Sequence, residues 1–541
     1  MLYPTTVTPE FFETLLSAMY PQTGPVVPLR NVQTWEEIGE VKCSSLAEGR
    51  DSVLRARAAF DIWYTMGAYR RSRILFRFLR KIVRNSEPLI GLTQILSGKS
   101  LLDAVDEYIF LTNEIRGLKR GLKILGKAQR GKGAVPMSTY RVQRRPLGVV
   151  GVFTHRDAPI AAVSDVLNPI MAGNAVVNFV SPQVAPATLL MKAILMASGM
   201  PPDVWRIVIS PTIDLGVNLV AGLDFVSMFG STRACQLVSA HCAKLSVPMS
   251  FFGGRKNVSI VMDDAKLWDA AKACARSAFR NAGQSPNSVE VVFVQESVVP
   301  EFQEMLVSYT RDQIHVGRYL DNRNVMGALA SPDEVDINVE TIRWLREGGA
   351  SILCGGNPLP DVGPTFFEPT ILSHTKLQPE LLEREFYGPI VVVVPFDDIR
   401  DVVHALSTSR RLHAVYLFTR DMELAGNFID SADVATISIN DIHTALYSSW
   451  RAPIQGRPET GMGIRHGTEA VLQYTRLFSA ARLKRISWVP KDWRTGQWTE
   501  RLTFFSMGLR TWLSRNVTNT VVVNAMKSKL RHLSDRFFDP V

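Results

Sequence analysis

The chain has 541 residues, of which 46% are hydrophobic and 21% charged, close to the average of soluble globular proteins, so long disorder and coiled coil are excluded as the main architecture. Five cysteines (Cys43, Cys235, Cys242, Cys274, Cys354) without a CxxC, and nine histidines without an HxxxH, support neither a disulfide framework nor a metal site. Net charge is +10, but residues 481–541 hold twelve Lys/Arg against four acids, leaving a nearly neutral body for which nucleic acid is not the expected partner.

Apolar runs such as Ile390 to Val394 are far too short for a membrane span. Residues 1–20 lack a basic n-region and carry Glu10 and Glu13, so no secretory signal is expected. A reducing, cytoplasmic setting follows as the expectation.

After an N-terminal segment over 1–44, apolar residues at three and four spacing predict helices over 45–130. The run Ile74-Leu75-Phe76-Arg77-Phe78-Leu79-Arg80-Lys81 reads as a helix with a solvated basic face rather than a binding site. Gly98-Lys99-Ser100 looks like the end of a phosphate loop, but Thr93 stands where its first glycine should, and no GxGxxG occurs. Residues 138–152 read as an exposed strand feeding a buried one. Strands and amphipathic helices then alternate through 175–240, and a second alternating series runs over 259–440, with strands near 289–294 and 390–394. This pattern predicts two parallel-sheet α/β domains with a ligand where their sheet edges meet. The expected divisions are a first α/β domain over 45–253, with projecting strands at about 136–149, a second over 254–441, a return segment over 442–480, and an extension over 481–541.

Six blocks, in order, carry a family resemblance: Arg145-Pro146-Leu147-Gly148-Val149-Val150-Gly151-Val152, Met171-Ala172-Gly173-Asn174-Ala175-Val176-Val177, Gly230-Ser231-Thr232, Asn281-Ala282-Gly283-Gln284, Glu385-Phe386-Tyr387-Gly388-Pro389 and Phe418-Thr419-Arg420-Asp421. They resemble the aldehyde dehydrogenase superfamily, and Gly461-Met462-Gly463-Ile464-Arg465-His466-Gly467 with Tyr474-Thr475 resembles its bacterial succinate-semialdehyde dehydrogenase branch. The resemblance implies two Rossmann-type domains, a β-strand oligomerisation flap and NAD or NADP as cofactor. It also implies a thiolate nucleophile, two oxyanion donors and a glutamate base.

Here the positions depart from that pattern. The nucleophile position is Pro286, which has neither a thiol nor the backbone N–H that serves as an oxyanion donor. The second donor position is Asp157, whose carboxylate would repel a developing oxyanion. Counting from Thr232 puts the base at Phe252, and a slip of one residue gives Phe251; neither ring accepts a proton. Ser285, Ser288 and Glu290 lie nearby as substitutes, with the serine-before-proline pattern reading as structural. The cofactor contacts are also altered: Phe179 and Pro182 occupy adenosine-side positions and Phe229 a nicotinamide-side one, while Gly230, Ser231 and Glu385 are retained.

The expectation is therefore an aldehyde dehydrogenase fold that has lost thiol-dependent aldehyde oxidation and binds NAD(P) weakly or not at all. It would serve as a regulatory or scaffold subunit. An active oxidoreductase with rewired residues is the alternative. A homo-oligomer, dimer or tetramer, is expected from the flap, with assembly on an active paralogue as a further possibility. The extension carries Trp488, Trp493, Trp498 and Trp512, and apolar positions 502, 505, 509, 512 and 513 fall on one helical face between arginines. That composition suits peripheral contact with an anionic membrane, as well as packing on protein.

Overall fold

The computed structural model describes residues 7–17, 22–133, 138–319, 323–374, 376–442, 444, 448–449, 451–457, 459–483 and 505. The chain forms two compact units, one of residues 1–126 and 146–476, the other of 127–145 and 477–541.

The larger unit holds two sheets. In the first, β1 (Val149–Phe153), β2 (Ala175–Val180), β3 (Trp205–Ile209), β4 (Phe225–Phe229) and β5 (Met249–Phe252) are all parallel. Their order is β5-β4-β1-β2-β3, and the return segment adds Gly461–Met462 antiparallel beside β5. Strands β1, β2 and β3 are buried along their whole length, which is why they read as unbroken apolar runs rather than alternating ones. The switch in strand order falls between β1 and β4, so the chain segments leaving those two strands line a crevice.

The second sheet contains β6 (Lys256–Val261), β7 (Val291–Gln295), β8 (Ser351–Cys354), β9 (Thr370–Ser373), β10 (Ile390–Phe396), β11 (Leu412–Phe418) and β12 (Thr436–Ile439), in the order β8-β9-β10-β7-β6-β11-β12. Only β8 is antiparallel to its neighbour. Between β6 and β11 the register slips: Lys256 faces Leu412 and Asn257 faces Ala414, leaving His413 as the extra residue of a bulge.

Helices Leu46–Thr65, Gly67–Arg84, Ser86–Ser97 and Leu101–Leu125 occupy the predicted helical stretch. On Gly67–Arg84, Ile74, Leu75, Phe78 and Ile82 are buried while Arg70, Arg73, Arg77, Arg80 and Arg84 are exposed, as a solvated basic face requires. The Gly98-Lys99-Ser100 fragment cradles no phosphate. Gly98 ends one helix at φ 75°, Lys99 is buried in an ion pair with Glu107, and the Ser100 hydroxyl accepts from Asp103 N–H to begin the next helix. The helix expected from residue 212 is a single turn, Asp214–Val217.

In the smaller unit, Thr475–Leu483, Ser138–Pro146 and Gln129–Lys132 form a three-stranded sheet in that order. The projecting strands thus begin at Gln129 rather than 136, and Val149 belongs to β1. Residues 481–483, assigned to the extension from the sequence, finish the last strand of this sheet. The rest of the extension lies outside the described residues apart from Phe505, and so does the helical face proposed for it.

Candidate active site

A cavity of about 640 Å³ opens in the larger unit. Its walls come from the helix Leu101–Leu125, the segments leaving β1 and β5, the segment entering β7 and His413 of β11. Pro286, Phe252 and Asp157, three positions singled out from family register alone, all line it. Strand alternation decides between the two candidates for the base position: Phe252 faces the cavity, whereas Phe251 packs into the core of the first sheet with Val226 and Met228.

The loop bearing Pro286 is held from every side. Asn281 and Ala282 both sit at φ 51° and Gly283 at φ 74°, three successive left-handed residues of which two have a Cβ. A Cβ on Gly283 would overlap the Gly388 carbonyl. The Gln284 amide donates to the Asn281 carbonyl at 3.0 Å and its oxygen accepts from Ala330 N–H at 2.9 Å. Asn257 donates to the carbonyls of Pro286 and Ser288, each at 3.0 Å. Ser285 lines the cavity and Ser288 is buried, with Ser288 N–H donating to the Ser285 carbonyl at 3.0 Å. The turn that the family resemblance assigns to the nucleophile is thus held by its neighbours, with proline at residue 286.

On the segment leaving β1, the half-buried Asp157 lies beside His155, whose Nδ1 is 3.7 Å from its carboxylate, and takes a hydrogen bond from the Tyr387 hydroxyl. Burial opposes its charge, but His155, Tyr387 and Arg156 outweigh that and hold its pKa below the ordinary carboxylate range. Tyr387 is pushed well above the usual phenol range by burial and by Asp157. A fixed negative charge therefore stands at the position the family resemblance assigns to the second oxyanion donor.

Two glutamates of the helix Leu101–Leu125 lie at or near the cavity: Glu107 lines it, and Glu114 accepts from His466, which lines it, at 2.8 Å. Glu107 is fully engaged, by Lys99 and by the backbone N–H groups of Ile160 at 2.7 Å and Ala161 at 2.8 Å, so it is not available as a base. Glu290, weighed as a substitute, is tied to Lys256 in a buried ion pair with the Lys256 ammonium 3.6 Å from the Phe386 ring centroid.

The retained cofactor positions divide into two sets. Glu385 lies against Gly254 and accepts from Arg255 N–H; burial and the neighbouring Glu290 push its pKa up to about 7. Ser231 caps the helix Thr232–Lys244, its hydroxyl accepting from Ala234 N–H at 3.3 Å, with Gly230 before it at the end of β4. The two positions expected on the adenosine side carry apolar residues. The Phe179 ring is buried and stacks on Phe153 with centroids 4.4 Å apart, and Pro182 opens a 3-10 turn. Neither these two nor Gly230, Ser231 and Glu385 line the cavity. Of the positions the resemblance assigns to a dinucleotide, Ser231 and Glu385 are polar and Phe179 and Pro182 are not.

Sequence reasoning missed the inner wall of the cavity. There Arg255 Nη1 is 3.2 Å from His413 Nε2, and the guanidinium groups of Arg255 and Arg465 lie 5.1 and 4.7 Å from the Phe229 ring centroid. The His155 ring sits 4.2 Å from the same ring. A histidine inside the apolar run Leu412–Phe418 was the one signal for this cluster.

Two parallel sheets facing one cleft, with a Gly-Gln turn at its edge and a helix N-terminus behind it, define the class of two-domain α/β dehydrogenases. The chain belongs to the aldehyde dehydrogenase family, whose model matches residues 20–479. It is 29% identical over 452 residues to a putative succinate-semialdehyde dehydrogenase [NADP(+)] of Mycolicibacterium smegmatis, covering 83% of this chain and 87% of that one. It is 26% identical over 446 residues to the mitochondrial succinate-semialdehyde dehydrogenase of Arabidopsis thaliana, covering 81% and 82%. Among solved structures, an aldehyde dehydrogenase of Mycobacterium tuberculosis complexed with NAD+ superposes with a TM-score of 0.81 at 20% identity, over 87% of this chain and 97% of that one. Apo betaine aldehyde dehydrogenase of Staphylococcus aureus, as a point mutant, gives 0.82 at 20% identity, over 89% and 99%. The last two likenesses concern the fold.

Proposed function

We propose that this chain is a succinate-semialdehyde dehydrogenase-like member of the family that does not carry out thiol-dependent aldehyde oxidation. The observation that carries this reading is the proline at the tip of a fully supported nucleophile turn, facing the ionised Asp157. Loss of one oxyanion donor alone typically costs about 10²–10³ in rate; here two donors, the nucleophile and the base are all replaced. Binding of NAD or NADP is weak or lost in this reading, because Phe179 and Pro182 leave the adenosine half without polar partners.

The protein then acts as a subunit rather than a catalyst. The strand Thr475–Leu483 exposes Leu477, Phe478 and Leu483 at the edge of its sheet, which supports edge pairing in a homo-oligomer, dimer or tetramer, or on an active paralogue. Location in the cytoplasm, with the basic extension 481–541 at an anionic membrane surface, completes the reading on composition alone. The test is a coupled assay of NADH and NADPH formation from succinate semialdehyde with protein freed of contaminating enzymes. No turnover is expected from wild type or from Pro286→Cys, whereas turnover by wild type overturns the reading.

A further inference from the structure

The helix Gly67–Arg84 uses its basic residues in two ways. Arg71 is buried, and its guanidinium donates to the backbone carbonyls of Trp63, Tyr64, Met171 and Ala172. Arg70, Arg73, Arg77, Arg80 and Arg84 are exposed and Lys81 half-buried, and none of these has an ion pair or a side-chain hydrogen bond among the described residues. They follow one another at three and four spacing in a row about 21 Å long, at 1.5 Å per residue. The acids nearest in sequence, Asp61 and Glu87, lie beyond the two ends of the helix. On the helices packed against it, every acid is matched elsewhere: Asp103 and Asp106 by Arg280, Glu107 by Lys99, Glu114 by His466 and Asp165 by Arg465. Like charges three or four apart weaken a helix, and a face that needed only water would interleave acids among the arginines. The row carries a repulsion that nothing inside the described chain relieves and that an anion outside it would.

The borders of the row select the kind of anion. Along one edge Tyr69 and Val83, two heptads apart, are 78% and 52% exposed. At the other edge the Arg77 guanidinium lies against Gly199, just after the helix Ala185–Met196. The outward positions of that helix are hydrocarbon: Ala193 and Met196, with Ala197 after them, are exposed, Leu189 and Leu190 are half-buried, and its one charged residue, Lys192, is buried. The exposed acids Glu10 and Glu13, on the helix Pro9–Ser17 that packs on Ala185–Met196, form no ion pair with the row. Guanidinium forks match phosphate oxygens, and hydrocarbon on both sides of a cationic row suits a bilayer surface, where basic side chains meet lipid phosphates and apolar ones reach the layer beneath. A polynucleotide would meet the same arginines but gain little from that hydrocarbon.

We propose that the outer face of Gly67–Arg84, with the exposed side of Ala185–Met196 beside it, is a docking surface for an anionic phospholipid membrane, the arginines meeting headgroup phosphates and Tyr69, Val83 and Met196 the apolar layer. The surface lies on the folded body, apart from the cavity and from the basic extension 481–541, and depends on neither.

Flotation of the full chain with phosphatidylcholine vesicles, with and without about one-third phosphatidylglycerol, tests it. Wild type is expected to float with the anionic vesicles only, and less as salt rises. Each basic residue near an anionic surface is worth about fivefold, so a triple variant with Arg73→Gln, Arg77→Gln and Arg80→Gln should bind at least about thirtyfold more weakly. The same three positions changed to lysine, which keeps the charge, should retain most of the binding. Met196→Asp, which leaves the row intact and places an acid in its hydrocarbon border, should weaken binding about fivefold. If the triple variant does not fold, Arg73→Gln and Arg80→Gln singly, each about fivefold weaker, carry the comparison. No binding by wild type, equal binding to neutral vesicles, or a triple variant that binds like wild type overturns the proposal, and the last result would leave the extension as the membrane contact. Tighter binding of a DNA duplex than of anionic vesicles at the same salt, lost in the triple variant, also overturns it, since the row would then serve a polynucleotide.

Discussion

The loop Arg280–Ser288 and the wall it faces depart from the family pattern in opposite ways. The loop keeps its backbone, with three left-handed residues in succession and side-chain hydrogen bonds from Asn257 and Gln284, yet carries proline at the position that gave it a purpose. The wall keeps little of its expected chemistry, with Asp157, Phe229 and Phe252 in place of an amide, a threonine and a glutamate. Backbone geometry is shared by many packed neighbours, so it resists change; a side chain pointing into a cavity has few neighbours and is free to vary.

If the frame is held for structural reasons, breaking its buried charges must cost stability. The largest effect is expected from Lys256→Met. Lys256 is wholly buried, and burial pulls its pKa down against the attraction of Glu290. Removing it leaves the Glu290 carboxylate buried without its partner, at a cost of about 3–5 kcal/mol. The double variant Lys256→Met with Glu290→Gln should recover most of that loss in urea denaturation. A single variant as stable as wild type would show that the pair supports nothing.

That ion pair also marks how far the sequence could be read. The two sheets, the helical stretch before them and the Gly-Gln turn were legible because each depends on local pattern: apolar runs, helical spacing, short ordered motifs. Lys256 and Glu290 are 34 residues apart and meet only because β6 and β7 are neighbours in the sheet. His413 was illegible for a related reason. In an unbroken strand its direction follows from alternation, but the bulge shifts the phase by one residue, and nothing in Leu412–Phe418 announces it. Glu107 was equally illegible, because its helix lies far from the family blocks in sequence, whereas in space its carboxylate supports the segment leaving β1 through Ile160 and Ala161.

A second way to test the frame is Gly283→Ala. The φ of 74° strains any residue with a Cβ, and here the Cβ would also meet the Gly388 carbonyl. A loss of about 2–3 kcal/mol is expected, against less than about 1 kcal/mol for Pro286→Ala, which changes only the tip. Equal losses at the two positions would erase the distinction between frame and lining.

The smallest effect belongs to Glu385, which lies between the two regions, and it is read through pH. Its pKa is pushed up to about 7 by burial and by Glu290, above the ordinary carboxyl value near 4.5 that it regains on unfolding. Below pH 4.5 both states hold the proton, and the group has no influence. Between about 4.5 and 7 the unfolded chain has released the proton while the folded one still binds it, so stability falls as pH rises through this window and levels off above it. Glu385→Gln keeps the shape and removes the charge. It should therefore flatten the fall between pH 4.5 and 7 and leave the variant more stable than wild type at pH 8, by on the order of 1–2 kcal/mol. Urea midpoints across pH 5 to 8 measure this directly. A variant that is less stable at pH 8 would mean that the carboxylate is held by partners strong enough to favour its charge, and the retained end of the cofactor cleft would then belong with the frame rather than with the replaced lining.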